Sequence, residues 1–336
     1  MRELNFVEPG RLEWREAPDA ELQGDGEAVV RPVSVATCDL DTALIAGRVP
    51  YKGPFAFGHE CVAEVVEVGE SVSAHAPGDL VSVAFQIYCG ECDACREGRS
   101  ASCTATPSMA MYGLPLGGEW GGFLSDSVRV PYAEAMMVAL PEGVEPAAAA
   151  SVSDNISDAW RTVGPQLAQR PGAAVLVCAG AGSIDLYAAG IAAALGAERV
   201  DYVGGRPGSA ELARTMGANV IEGPIPERLG PYPITVDASA DQAGLACALR
   251  STEPDGICTS VGIYYEASTP VPLLEMYTKG ITFQTGRAHA APAIPAVLEL
   301  IADGRLDPSP VTRRFVEWDD AAEALSEELV KTVISR

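Results

Sequence analysis

Four cysteines stand close together in a chain of 336 residues. Cys89, Cys92, Cys95 and Cys103 have the spacing C-x2-C-x2-C-x7-C. Thiolates supplied at such short intervals can wrap one tetrahedral zinc ion, and structural zinc sites take four ligands. Gly90 and Gly98 give the loop the freedom to close. Iron–sulfur ligation uses related spacings but usually a different final interval, so zinc is the expectation. The remaining cysteines, Cys38, Cys61, Cys178, Cys247 and Cys258, are scattered, and the total of 9 is odd. A disulfide framework is therefore not expected, whereas clustered thiols in a reducing compartment point to metal.

A second set of metal-binding types is spread along the chain. Cys38 closes an apolar run, Gly58-His59-Glu60 precedes another, and Asp154 begins the polar island of Ser153, Asp154 and Asn155. Cysteine, histidine and carboxylate are the ligand types of a catalytic zinc with an open position.

A third motif is a glycine turn. Val175 to Cys178 is followed by Gly180, Gly182 and Asp185 in the order G-x-G-x-x-D, with Ser183 and Ile184 opening a helical stretch. The first glycine permits the tight turn, and the second lets backbone approach a pyrophosphate at the helix N-terminus. Asp185 replaces the third glycine, whose role is close helix–strand packing. As a first-turn acid it favours the helix dipole by about 0.3–1 kcal/mol. Beside a pyrophosphate it repels by up to about 3 kcal/mol at an effective dielectric of about 20, unless its side chain points away. The next strand candidate ends at Val203-Gly204-Gly205-Arg206. Gly204 lacks the acid that grips the ribose 2′-OH of NAD, and Arg206 can pair with a 2′-phosphate, so NADP is expected over NAD.

The elements that must position these residues fall into two styles. Ala28–Ala36, Cys61–Val68 and Leu80–Phe85 are β-branched runs divided by Pro54, Gly58, Gly69 and Pro77-Gly78, which predicts a barrel-like or sandwich region. Ala173–Cys178 then reads as a strand buried on both faces, with an alanine-rich helix to Leu195 after it. Strands at Arg199–Val203, Ala218–Ile221, Ile234–Ala238 and Gly256–Val261 alternate with helical spacers such as Ser209–Met216, which predicts βαβ units and a parallel sheet. Helices at Ala293–Ala302 and around Ala321–Leu329 precede a closing strand, Lys331–Ile334.

Charge narrows the partners. Lys plus Arg is 23 against 46 Asp plus Glu, a net charge of −23. An acidic surface repels phosphate backbones and anionic lipid, so neither nucleic acid nor membrane is an expected partner. No uninterrupted apolar run reaches the roughly 18 residues of a membrane span. The opening MRELNFVEPG has no apolar signal core, so a cytoplasmic location is expected by default.

In this order, the Cys38 strand end, Gly58-His59-Glu60, the four-cysteine lobe, the Asp154 island and the glycine turn resemble the zinc-containing medium-chain alcohol dehydrogenase family along essentially the whole chain. The resemblance implies an α/β protein with a GroES-like β-rich catalytic domain over 1–155 and 286–336, including a structural zinc lobe at about 88–104. It implies a Rossmann cofactor domain, a doubly wound parallel sheet, over 156–285. Carried over residue by residue, it makes Cys38, His59 and Asp154 the catalytic zinc ligands and puts Glu60 behind the metal as a transient ligand. Asp41 would hydrogen-bond the zinc histidine. Gly262 and Ile263 would lie beside the nicotinamide, and Lys331 near the pyrophosphate. The cofactors implied are two zinc ions per chain and NADP(H), and the assembly a homodimer or homotetramer with sheets meeting edge to edge.

One departure matters. The family reads Cys-x-(Ser/Thr)-Asp where this chain reads Cys38-Asp39-Leu40-Asp41. Leu40 replaces the proton-relaying hydroxyl, and Thr42 is near but out of register. The leading expectation is hydride transfer between NADP(H) and an alcohol, aldehyde or ketone in a pocket between the domains. Phe85, Tyr112, Trp120 and Tyr264 are its candidate lining. Reduction of a C=C or C=N bond is the alternative that Leu40 suggests. A non-catalytic binding or scaffold protein is the alternative that Asp185 and Leu40 suggest together.

Overall fold

The computed structural model describes residues 1–326 and 331–336. The chain forms two compact units, one of Met1–Ser157, His289–Asp303 and Thr312–Arg336, the other of Asp158–Ala288 and Gly304–Val311. The resemblance implies that all of 286–336 belongs with the first unit. Gly304–Val311 instead groups with the second, because Leu306 is buried against the helix Ile184–Ala194, where a side chain on Gly190 would stand 3.2 Å from its methyl.

Strands β1 (Arg2–Glu8), β2 (Arg11–Glu16), β3 (Ala28–Ala36), β4 (Phe55–Ala56), β5 (Glu60–Val68), β6 (Leu80–Val83), β7 (Val128–Val130) and β8 (Met137–Ala139) open the first unit. The second unit carries β9 (Val175–Ala179), β10 (Val200–Gly204), β11 (Asn219–Ile221), β12 (Tyr232–Asp237), β13 (Thr252–Ser260) and β14 (Thr282–Thr285). The chain then returns to the first unit as β15 (Arg314–Glu317) and β16 (Thr332–Ser335). The short β-branched runs become a sheet in the order β15-β16-β3-β5-β6-β8, with β7 on β3 and a smaller sheet β2-β1-β4. Pro32 sits inside β3, where it donates nothing to the ladder, and the register with β5 shifts between Pro32 and Ser34. β16 joins antiparallel to β3, so the chain terminus is a structural member of the first unit. The expected helix to Leu329 is seen as Ala321–Ser326, and the rest of that expectation lies outside the described residues.

The second unit is a six-stranded parallel sheet in the order β11-β10-β9-β12-β13-β14. β9 (VLVCA) is buried at every residue, as a strand covered on both faces must be. After β9 the chain goes to β10 and β11 on one side, then back to β12 on the other. The strand order therefore reverses between β9 and β12. In doubly wound sheets that crevice, at the carboxyl ends of the strands, is where ligands bind. This is the parallel sheet that the alternation of strand and helix predicts, in the Rossmann architecture that the resemblance implies. β14 was not foreseen: Thr282–Thr285 is polar and largely exposed, an edge strand without an apolar signature. No helix among the described residues is long and apolar enough to cross a membrane.

Candidate metal and cofactor sites

Strand pairing builds the first site. β3 runs antiparallel to β5 with Ala36 opposite Glu60, so Cys38 just past one end meets His59 just before the other. Cys38 caps the helix Asp39–Ile45: the Leu40 N–H donates to Cys38 Sγ at 3.1 Å, and the Cys38 N–H donates to Asp41 Oδ2 at 2.9 Å. This reciprocal pair is a capping box with sulfur as the acceptor. Gly58 turns the chain into His59 with φ of +94°, and a Cβ there would come within 3.1 Å of the Leu124 nitrogen. Asp154 arrives on a π-helical turn, Val152–Ile156, a geometry that recurs at functional sites. That turn is pinned to β5: the Cys61 N–H donates to Ser153 Oγ at 3.1 Å, and the Asn155 N–H to Glu60 Oε1 at 3.3 Å.

One ligand atom from each of Cys38, His59, Glu60 and Asp154 lies within 4.8 Å of the others. His59 Nε2 is 3.4 Å from Asp154 Oδ2, and Nδ1 is 3.5 Å from Asp41 Oδ1. Cys38, His59 and Glu60 are buried, while Asp154 is partly exposed and leaves one approach. Burial pushes the Cys38 thiol up to about 12 and Glu60 up to about 7, the latter against the pull of Lys331. Burial likewise raises Asp41. Burial alone would lower His59, but Asp41, Cys38 and Asp154 outweigh it and hold the imidazole well above its ordinary range. Thiol, imidazole and carboxylates crowded in a dry place are short of positive charge, and a divalent cation supplies it. Buried His59 Nδ1 and Asp41 Oδ1 have no closer hydrogen-bond partner, so they are free to tighten on each other when the imidazole binds a metal through Nε2. The donor set fits zinc.

Around this cluster the structure gives partners to further residues singled out in the sequence. Lys331, read as a pyrophosphate contact, places Nζ at 2.9 Å from both Glu60 Oε2 and Asn155 Oδ1. Thr42 donates its hydroxyl back to the Cys38 carbonyl at 3.4 Å, as a mid-helix threonine does, and so holds its proton in the helix. Of the aromatics, Phe85 packs on His59 with centroids 5.9 Å apart. Tyr112 is instead a core residue with its hydroxyl on the Arg129 carbonyl at 2.8 Å. Asn155 was missed as a contributor, and its one signal was adjacency to Asp154.

The cysteine lobe brings Cys92 Sγ to 3.4 Å from Cys95 Sγ and 3.9 Å from Cys103 Sγ, with Cys103 to Cys89 at 3.6 Å. Amides of Glu91 and Cys92 point at Cys89 Sγ at 3.4 and 3.3 Å, which favours thiolate. Backbone N–H groups of Thr104 and Cys95 pull Cys92 down. Gly90 and Gly98 both take φ of +76°. His289, also unforeseen, accepts the Ala101 N–H at 3.1 Å and ties the lobe to the returning chain.

In the second unit, the turn after β9 sits at the switch point. A Cβ on Gly180 would meet the Ala238 carbonyl at 2.6 Å, so glycine is required there. Ser183 is buried at the N-cap of the helix Ile184–Ala194. Asp185 is buried and bends back beneath the turn: Oδ2 accepts the Gly180 N–H at 3.0 Å and Oδ1 the Leu186 N–H at 2.7 Å. Gly204 and Gly205 have φ of +86° and +87°, and no carboxylate among the described residues pairs with the Arg206 that follows. Gly262 is hemmed in by Ala240, 3.0 Å from where its Cβ would be, and Ile263 is exposed. Tyr264, expected to line a pocket, donates to Asp237 Oδ2 at 2.8 Å. Asp237, at the end of β12, was missed: it also accepts from Ser239 and Ser260 and orders the loops at the crevice.

One unit with a parallel switch-point sheet and one β-rich unit with two clustered metal-ligand sets define a two-domain dehydrogenase scaffold. Comparison with known proteins agrees. Residues 24–142 match the alcohol dehydrogenase GroES-like domain. A probable zinc-binding alcohol dehydrogenase of Mycobacterium tuberculosis is 30% identical over 333 residues, 96% of this chain and 84% of its own length. The NADP-dependent isopropanol dehydrogenase of Thermoanaerobacter brockii is 27% identical over 99% of both chains. Among solved structures, alcohol dehydrogenase TADH from Thermus sp. ATN1 superposes with a TM-score of 0.87 at 29% identity, over 100% of this chain and 99% of that one. The chain belongs to the zinc-type alcohol dehydrogenases of the medium-chain dehydrogenase/reductase superfamily.

Proposed function

We propose that the protein is a zinc-dependent oxidoreductase that transfers hydride between NADP(H) and an alcohol, aldehyde or ketone. The convergence of Cys38, His59, Glu60 and Asp154 within 4.8 Å carries the reading. Cys38, His59 and Asp154 are its zinc ligands, with Glu60 behind them, and Cys89, Cys92, Cys95 and Cys103 hold a second, structural zinc. When bound, the catalytic zinc supplies Lewis-acid polarisation of a substrate oxygen, and the nicotinamide carries the hydride. The chain's own part is orientation. Asp41 fixes the His59 tautomer through Nδ1, which leaves Nε2 as the ligand atom. Lys331 and the Asn155 amide hold Glu60 from two sides. Phe85 packs against the imidazole in a tilted ring contact.

The cofactor preference rests on Gly204 and Arg206. The guanidinium is free of acidic partners among the described residues, and no side chain at 204 opposes a 2′-phosphate. The relative from T. brockii is named for NADP and isopropanol, which supports a small carbonyl substrate and that cofactor. A second reading, reduction of a C=C or C=N bond, is favoured by Leu40, which has no hydroxyl to relay a proton, and by the engagement of Thr42 with the Cys38 carbonyl. Assembly into a homodimer or homotetramer is part of the proposal. β14 ends the sheet as an exposed edge, and Leu273, Leu274 and Tyr277 stand exposed on the helix before it, as an edge meant for pairing would.

Zinc-loaded protein titrated with NADPH and NADH, then assayed with small ketones, enals and imines, tests the reading. Tight NADPH binding with ketone turnover supports it. Turnover of enals or imines alone moves the reading to the alternative reduction. Absence of zinc at the Cys38 cluster overturns both.

A further inference from the structure

The third position of the turn is where the second unit departs most from a dinucleotide-binding strand–turn–helix. A glycine there lets helix and strand pack closely. Asp185 is 1% exposed, yet its carboxylate finds two amide donors without leaving the turn. One of them, the Gly180 N–H, belongs to the turn itself. The N-terminus of the helix Ile184–Ala194 offers roughly half a positive charge, and anions gather there because of it. A full negative charge in such a first turn exceeds that half charge and opposes a second anion there. The Tyr202 hydroxyl is buried with no hydrogen-bond partner and stands 2.8 Å from where a Gly205 Cβ would be. Burial first, and then the charge of Asp185, push that phenol upward.

We propose that Asp185 is a cofactor-affinity determinant: its carboxylate occupies a turn amide and sets a standing negative charge against the diphosphate, so any nicotinamide dinucleotide binds more weakly here than in a chain with a neutral residue at 185. The inference rests on the dinucleotide reading of the second unit. It separates two axes of recognition. The diphosphate is common to NADH and NADPH, so Asp185 acts on both alike, whereas Arg206 acts on the 2′-phosphate and so on NADPH alone. A chain with this arrangement gains fast release of spent cofactor in exchange for tight capture.

The test is a pair of variants of the full, zinc-loaded chain, Asp185→Asn and Asp185→Gly, titrated with NADPH and NADH by nucleotide fluorescence at low and moderate salt. Asn keeps an oxygen for the Gly180 N–H and removes only the charge. Both cofactors should bind Asp185→Asn about tenfold more tightly, by similar factors, and the gain should shrink as salt screens the charge. Unchanged or weaker binding of both cofactors, with a native circular dichroism spectrum, would overturn the inference and make Asp185 a brace of the turn. Where Asp185→Asn melts early, Asp185→Gly decides on the same criterion. A gain for one cofactor alone also refutes it. If neither the parent nor any variant binds either cofactor, the dinucleotide reading fails and takes the inference with it; if the parent binds and the variants bind no better, the inference fails alone.

Discussion

Lys331→Met should destabilise the first unit, and the geometry says by how much. The ammonium lies 2.9 Å from Glu60 Oε2 and 2.9 Å from Asn155 Oδ1, with side-chain exposures of 2% for Lys331 and 0% for Glu60. Removing one partner of a buried ion pair costs about 3–5 kcal/mol, because the other is left uncompensated. Glu60 already titrates near 7, since burial raises it against the pull of Lys331. It can therefore take up a proton when the lysine is gone, which places the loss at the lower end, about 3 kcal/mol. The double variant Glu60→Gln/Lys331→Met removes both charges and should recover most of that loss, a coupling of about 2 kcal/mol in the cycle. Guanidinium unfolding followed by tryptophan emission is the assay, since Trp14, Trp120 and Trp318 all belong to the first unit. A single variant within 1 kcal/mol of the parent, or a double variant no more stable than the single, would refute the reasoning. A parent-like melt with weakened dinucleotide binding would return Lys331 to the pyrophosphate role that its sequence position suggested.

Four further outcomes follow from the same geometry. Cys95→Ser should lose one zinc per chain by elemental analysis and keep the other, because the two ligand sets share no residue. Asp41→Asn should weaken zinc at the Cys38 cluster about 10–100-fold in a chelator competition, since His59 Nδ1 loses the carboxylate that orients it. Gly58→Ala should cost about 1–3 kcal/mol by thermal melting, from a φ of +94° and a Cβ 3.1 Å from the Leu124 nitrogen. Arg206→Ala should weaken NADPH by about 1.5–3 kcal/mol and leave NADH nearly unchanged in parallel titrations.

What sequence could and could not reveal divides along a physical line. Alternation of apolar strand and helix is a property of neighbouring residues, so the parallel sheet and the β-rich first unit were both legible. The order of Cys38, His59, the cysteine lobe and Asp154 was legible as a set of types, because metal ligation restricts residue chemistry more than packing does. β14 was not, since Thr282–Thr285 at a sheet edge needs no apolar face. Gly304–Val311 was not, because its membership of the second unit is decided by where Leu306 is buried and not by its own pattern.

Two charged residues show the same limit more sharply. Asp185 as an isolated letter is either a helix-dipole partner or a repulsive charge, and the choice between them is a side-chain torsion that pattern does not encode. Its carboxylate turned under the loop and found amide donors, so it is not unsatisfied. Lys331 sits in a terminal strand, and its partner Glu60 lies 271 residues away in sequence. Only the antiparallel return of β16 onto β3, itself paired to β5, brings them together. Both residues are buried charges, and a buried charge persists only where a fixed partner is supplied. The partners here belong to the turn and the ligand set that the chemistry needs, so substitutions at either position should move binding as well as stability, which distinguishes them from charges that merely solvate a surface.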